Sequence, residues 1–213
     1  MNSALIDFLS KEYPLKHIGK EVTDSSIKRE VPSSPRFEIV DKKDSIVQPE
    51  GKGVSVFRNL SGEQAEVIDF EAYTNLLTPQ NPEGACDFII NSIYSFNYIV
   101  FNELTASQSG YVKDFVQPTT GEKRVGKFSY AKEQMRKSIE RFYEVNDFLD
   151  SYKQKTALFS CRLTDKTSNE TMEKSMRSFR NVMKMVSNIR RNKWDCHGFT
   201  LQTRIYDNEF ELR

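Results

Sequence analysis

PEGACDFIINSIYSFNYIVFNEL, residues 82–104, is the most apolar stretch of this 213-residue chain, and its periodicity decides the fold. Ile89, Ile93, Phe96 and Val100 recur at helical spacing, and Ile90, Tyr94 and Phe101 widen the stripe. A strand from Ser92 to Phe101 is the other solution, with Tyr94, Phe96, Tyr98 and Val100 on one face. Length favours the helix and aromatic content the strand. The reading taken is a helix at the centre of the core.

Upstream, VSVFRNL (54–60) alternates as a strand does, and SGEQAEVIDFEAYTNLL (61–77) reads as a helix capped by Ser61 and ended by Pro79 and Pro82. SALIDFLSKE (3–12) is a short helix with Ser3 as its N-cap and Leu5, Phe8 and Leu9 as its apolar edge. Ten residues make no stable isolated helix in water, so it must dock on its own domain or on a partner. Residues 19–53, with Pro32, Pro35 and Pro49, read as a flexible or extended arm.

Downstream, residues 105–127 are turn-rich. A helix then places Phe128, Ala131, Met135, Ile139, Phe142 and Leu149 on one side, with Glu133, Arg136, Lys137 and Glu140 on the other. TALFSCRLT (156–164) is a buried strand, a helix runs from about Ser168 to Asn192, and FTLQTRIYDNEFELR closes as a hairpin. Phe96, Phe142, Leu158 and Phe179 are the expected core. The fold expected is α+β: a mainly helical single domain with a small C-terminal antiparallel sheet and an extended N-terminal arm. Its parts are a docking helix (1–18), the arm (19–53) and a globular domain (54–213), with a sub-boundary near 105–127.

The net charge of +1 hides a segregation. Residues 1–122 hold 11 Lys/Arg against 18 Asp/Glu, residues 123–193 hold 18 against 8, and the last twenty hold 2 against 4. The balances are therefore −7, +10 and −2. On the expected helix 168–192, Met172, Met176, Phe179, Met183 and Val186 form an apolar stripe. Lys174, Arg177, Arg180, Lys184 and Arg191 share a separate face. Arg190 and Lys193 add charge near its C-terminal end, and Met185 lies off the stripe, where it suits an interface. Cations one turn apart can meet successive phosphates of a nucleic acid. A solvated face, or one covered by the acidic half of the chain, explains the same pattern.

Catalytic signatures are missing. The glycines form no phosphate-binding loop. The DCHG run at 195–198 has neighbours pointing to opposite faces and no second ligand pair at zinc spacing. Carboxylates are plentiful, but no spacing singles out an acid/base pair. Three scattered cysteines argue against a disulfide framework and for a reducing, intracellular compartment. No run is long enough to span a membrane, and no secretory leader is evident.

The function expected is therefore a non-enzymatic binding protein, with no cofactor, metal or small-molecule substrate. It contacts nucleic acid through Lys174, Arg177, Arg180, Lys184, Arg190, Arg191 and Lys193. The alternative is a protein–protein assembly module, an adaptor, scaffold or structural subunit, that associates through its N-terminal helix and arm and its acidic and basic halves, with Leu5, Phe8, Leu9 and Met185 as partner-binding residues.

Overall fold

The computed structural model describes residues 3–41, 44–79, 84–164 and 194–213. Its elements, in chain order, begin with helices α1 (Ala4–Ser10) and α2 (Glu12–Ile18) and strands β1 (Arg29–Glu30), β2 (Arg36–Ile39), β3 (Val47–Gln48), β4 (Ser55–Asn59) and β5 (Ala65–Asp69). Helix α3 (Phe70–Leu77) leads to β6 (Phe88–Ser92), β7 (Tyr98–Ser107) and the small strands β8 (Phe115–Val116) and β9 (Lys123–Arg124). Helix α4 (Lys127–Tyr143), β10 (Gln154–Leu163), β11 (Thr200–Ile205) and β12 (Phe210–Leu212) follow.

A six-stranded sheet in the order β1-β5-β6-β7-β10-β11 is the centre of the molecule. β1, β5, β6 and β7 pair antiparallel in succession, whereas β7, β10 and β11 run parallel. Parallel neighbours require a crossover. Helix α4 lies in the crossover between β7 and β10, and residues 164–199 form the connection between β10 and β11. A second sheet, β12-β4-β2-β3, packs against the first, and β8 with β9 forms a separate hairpin.

At β5, β6, β7 and β10 the central sheet is buried on both faces, and residues of these strands divide between two cores. Ile89, Ile99, Phe101, Ala157 and Phe159 pack with α1, α2, α3 and α4. Phe88, Ile90, Tyr98, Val100 and Leu158 pack with Phe37, Ile39, Phe57, Phe210 and Leu212 of the second sheet. This corrects the mainly helical fold expected from sequence. The stretch 82–104 is not a helix but the paired strands β6 and β7, with Ile90 opposite Val100. A strand covered on both faces is apolar at every position, so its period of two disappears and helical spacing can be matched by chance.

Two further expectations change for related reasons. The stretch 61–77 is β5 followed by α3, and the cap is Asp69, whose side chain accepts from Ala72 N at 3.0 Å, rather than Ser61. The extended N-terminal arm is instead part of the fold: β1 extends the central sheet, β2 and β3 build the second sheet, and Ile27, Phe37, Ile39 and Ile46 are buried. Its prolines fall between strands, where their missing N–H groups interrupt no ladder. No C-terminal antiparallel hairpin forms. β11 pairs parallel with β10, and β12 crosses to the second sheet to pair parallel with β4.

Helix α1 begins as its sequence indicates, with Ser3 Oγ accepting from Ile6 N at 3.2 Å. It docks on its own domain: Leu5, Phe8 and Leu9 are buried, and Tyr73 Oη donates to Leu9 O at 2.6 Å. Full burial of each such side chain contributes about 1.5–3 kcal/mol, which offsets what so short a helix lacks. Phe142 and Leu158 are fully buried and Phe96 half-buried, while Phe179 lies outside the described residues.

Candidate metal centre

Four carboxylates from four separate elements meet at one end of the central sheet. Asp41 follows β2, Glu71 stands in the first turn of α3, Asp87 precedes β6, and Glu103 lies toward the C-terminal end of β7. One carboxylate oxygen from each of Asp41, Glu71 and Asp87 lies within 4.8 Å of the others. All four line a cleft of about 240 Å³, together with Lys127, Tyr130 and Gln134 of α4.

Backbone hydrogen bonds fix this geometry. Asp87 Oδ2 accepts from Leu104 N at 2.6 Å, and Asp87 N donates to Glu103 Oε2 at 3.3 Å. Asp87 O accepts from Phe70 N and Glu71 N at 2.9 and 3.2 Å, which ties the start of α3 to the start of β6. The register of the β6–β7 pair, with Phe88 opposite Asn102, sets Asp87 and Glu103 side by side.

The neighbouring carboxylates act on Glu103. Burial, and then the charge of Asp87, push the Glu103 carboxyl up to about 10, with Glu71 and Asp41 adding in the same sense. Glu103 therefore keeps its proton at neutral pH in this arrangement. Lys127 is the basic side chain among the described residues lining the cleft. Gln134 adds an independent sign of a ligand. It is 9 % exposed, its Nε2 donates to Ala85 O at 3.1 Å, and its Oε1 is buried with no hydrogen-bond partner.

The donor set is entirely oxygen, the chemistry of a hard divalent cation such as Mg²⁺, Mn²⁺ or Ca²⁺. An octahedral ion with bonds of about 2.1 Å sets its ligand oxygens roughly 3–4 Å apart, and Asp41, Glu71 and Asp87, within 4.8 Å of one another, approach that spacing. The residues present fit such an ion.

Because the native carboxyl of Glu103 titrates far above its unfolded value, its ionisation opposes folding. The stability cost is absent below pH about 4.5 and grows as pH rises toward 10. Glu103→Gln is expected to stabilise the cation-free protein at pH 7–8 by about 1–2 kcal/mol, with Tm about 2–8 °C higher. The gain should fade as pH falls toward 4.5. Thermal melts across pH in EDTA, for wild type and variant, provide the measurement. A variant no more stable than wild type at pH 8 would contradict the buried-charge account.

Lys174, Arg177, Arg180, Lys184, Met185, Arg190, Arg191 and Lys193 lie outside the described residues. Leu5, Phe8 and Leu9 sit in the core shared by the helices and the central sheet. The DCHG run is divided: Cys196 is buried, and His197 is exposed and stacks on Tyr143 with ring centroids 3.9 Å apart. Burial raises the Cys196 thiol to about 11, which keeps it protonated. All three cysteines are free and buried.

Asp87 and Glu103 did leave a trace in the sequence, as acidic residues set against the apolar runs of ACDFII and IVFNEL. A charge at the margin of a buried strand calls for a partner. Among the described residues, no helix is long and apolar enough to cross a membrane. No family model, curated protein or solved structure matches this chain.

Proposed function

We propose that this chain is a divalent-cation-dependent phosphodiesterase acting on nucleic acid, with Asp41, Glu71, Asp87 and Glu103 as the cation-binding carboxylates. The observation that carries the reading is the convergence of these four groups on one cleft, with three of them within 4.8 Å of one another. A cation bound there would polarise a phosphoryl oxygen and make water a nucleophile at neutral pH. Asp87 and Glu103 hold the ligand oxygens in fixed register, and Gln134 Oε1 offers a further acceptor. Lys127, at the mouth of α4, places a positive charge where a phosphate would enter. In hydrolysis, the water oxygen would bond to phosphorus as the bond to the leaving sugar oxygen breaks, the water would give up a proton to a carboxylate or to solvent, and the leaving oxygen would take a proton from solvent to depart as the hydroxyl.

The expected role of the basic stretch joins this reading. Glu103 pairs with Phe159 of β10, and the chain leaves β10 at Thr164, at the end of the sheet that carries the carboxylates. Lys174, Arg177, Arg180, Lys184, Arg190, Arg191 and Lys193 follow in that connection, where they would hold a polyanion whose phosphates the carboxylates alone would repel.

The test pairs calorimetry with a cleavage assay. Wild-type protein titrated with Mn²⁺ should give a saturable heat, and labelled DNA or RNA should be cut with Mg²⁺ or Mn²⁺ and spared in EDTA. No heat and no cleavage on either polymer would overturn the proposal. Salt-dependent binding without cleavage would return the chain to the non-enzymatic nucleic-acid-binding class.

A further inference from the structure

The hairpin of β8 and β9 stands next to the acidic cleft and exposes an unusual set of side chains. Tyr111, Phe115, Val116, Val125 and Tyr130 are each about half exposed or more, with Val125 at 68 %. Large apolar side chains gathered at one place on a surface mark an interaction site. The guanidinium of Arg124 lies 4.4 Å from the Tyr111 ring centroid and 5.6 Å from that of Phe115, so both rings are braced by one cation.

This hairpin is fastened to the wall of the cleft. Asp114 accepts from Gly126 N at 2.7 Å and from Ser129 Oγ at 2.9 Å, and Phe128 N donates to Val112 O at 3.0 Å. Gly126 permits this close approach, since a Cβ there would lie 2.2 Å from the carbonyl carbon of Lys113. The next residues along α4, Lys127 and Tyr130, line the cleft itself. The hairpin thus extends the cleft mouth outward as a braced aromatic shelf.

Charge selects the occupant. Lys113, Lys123, Arg124 and Lys127 lie in the same stretch of chain as the rings, and Arg124 covers two of them. Of the two acidic residues in the same span, Asp114 is engaged in bracing, which leaves Glu122 near the turn. Aromatic faces interleaved with cations suit unpaired bases on a phosphate backbone. A base pair inside a duplex has both faces stacked on its neighbours and offers none to a ring.

We propose that the 111–126 hairpin is a stacking platform for single-stranded nucleic acid, which it feeds to the carboxylate cleft. This rests on the proposed phosphodiesterase reading for its purpose, but its test does not depend on cleavage.

Binding of the full chain to a fluorescent single-stranded 12-mer oligonucleotide, measured by anisotropy in EDTA, isolates the platform from the chemistry. Phe115→Ala and Tyr111→Ala should each weaken binding by roughly 5- to 150-fold, with little change in the slope against salt. The matching duplex should lose far less affinity. Mn²⁺ titration of each variant should give the wild-type heat, which certifies the fold and the cleft. Wild-type affinity in both variants would overturn the platform and leave the cation site standing. Equal losses for duplex and single strand would overturn it as well. No binding by wild type would also overturn it and assign the aromatic surface to a protein partner. If wild type binds no cation yet both variants lose affinity for the oligonucleotide, the platform stands and the hydrolytic reading falls.

Discussion

Asp87→Asn is expected to abolish metal-dependent cleavage, lowering the rate by roughly 10³-fold or more at saturating Mn²⁺. The substitution keeps the size of the side chain and an oxygen able to accept from Leu104 N, the 2.6 Å bond that orients it. The backbone carbonyl that receives Phe70 N and Glu71 N is untouched, so the junction of α3 and β6 survives. What disappears is one formal charge among the groups proposed to hold the cation. The loss should fall on the chemical step, because polarisation by a bound cation is worth several kcal/mol and each 1.36 kcal/mol is tenfold in rate. Initial rates on a labelled oligonucleotide, with Tm as control, measure it. A variant that cuts within tenfold of wild type would remove Asp87 from the machinery.

Phe142→Ala is expected to have the largest effect on stability, about 3–5 kcal/mol, with Tm about 6–20 °C lower. Phe142 is fully buried in α4 and meets rings from four other parts of the chain. Its centroid lies 5.4 Å from Phe8, 5.1 Å from Tyr13, 5.7 Å from Phe70 and 5.3 Å from Phe101. Truncation therefore leaves a cavity where the N-terminal helices, α3 and the central sheet converge, and no single neighbour can close it. Denaturant unfolding at matched pH gives the difference directly. A loss below 1 kcal/mol would mean that the helix layer packs without this ring.

The elements legible in the sequence were those with one wet face or clear limits. Helix α4 shows its apolar stripe because Glu133, Arg136 and Glu140 remain in solvent and pair with one another, with Arg136 bonded to both carboxylates at 2.7 Å. TALFSCRLT reads as a strand because its length and its residue types agree. The stretch holding β6 and β7 hides its period, since Ile89 and Ile90 are both fully buried but in different cores. The switch from β5 to α3 at Asp69 is likewise invisible to any window that averages across it. The candidate metal centre was the least legible feature. Asp41, Glu71, Asp87 and Glu103 come from three strands or their ends and one helix, so their meeting is a property of strand order and register. Strand order is set by long-range pairing, and no local spacing records it.

Strand β12 bears on how the protein is made. Phe210 sits beside Phe57 in a parallel pair, yet the two residues are separated by most of the chain. A ribosome adding 5–20 residues per second exposes β4 about 10–30 s before β12 emerges. Throughout that interval the second sheet lacks an edge, and Phe57 lacks the ring of Phe210 that packs against it at 5.9 Å. β10, the strand that carries Leu158 to the same core, also arrives late. Vectorial synthesis therefore presents a nascent chain whose N-terminal half has strands with unpaired edges and uncovered aromatic rings.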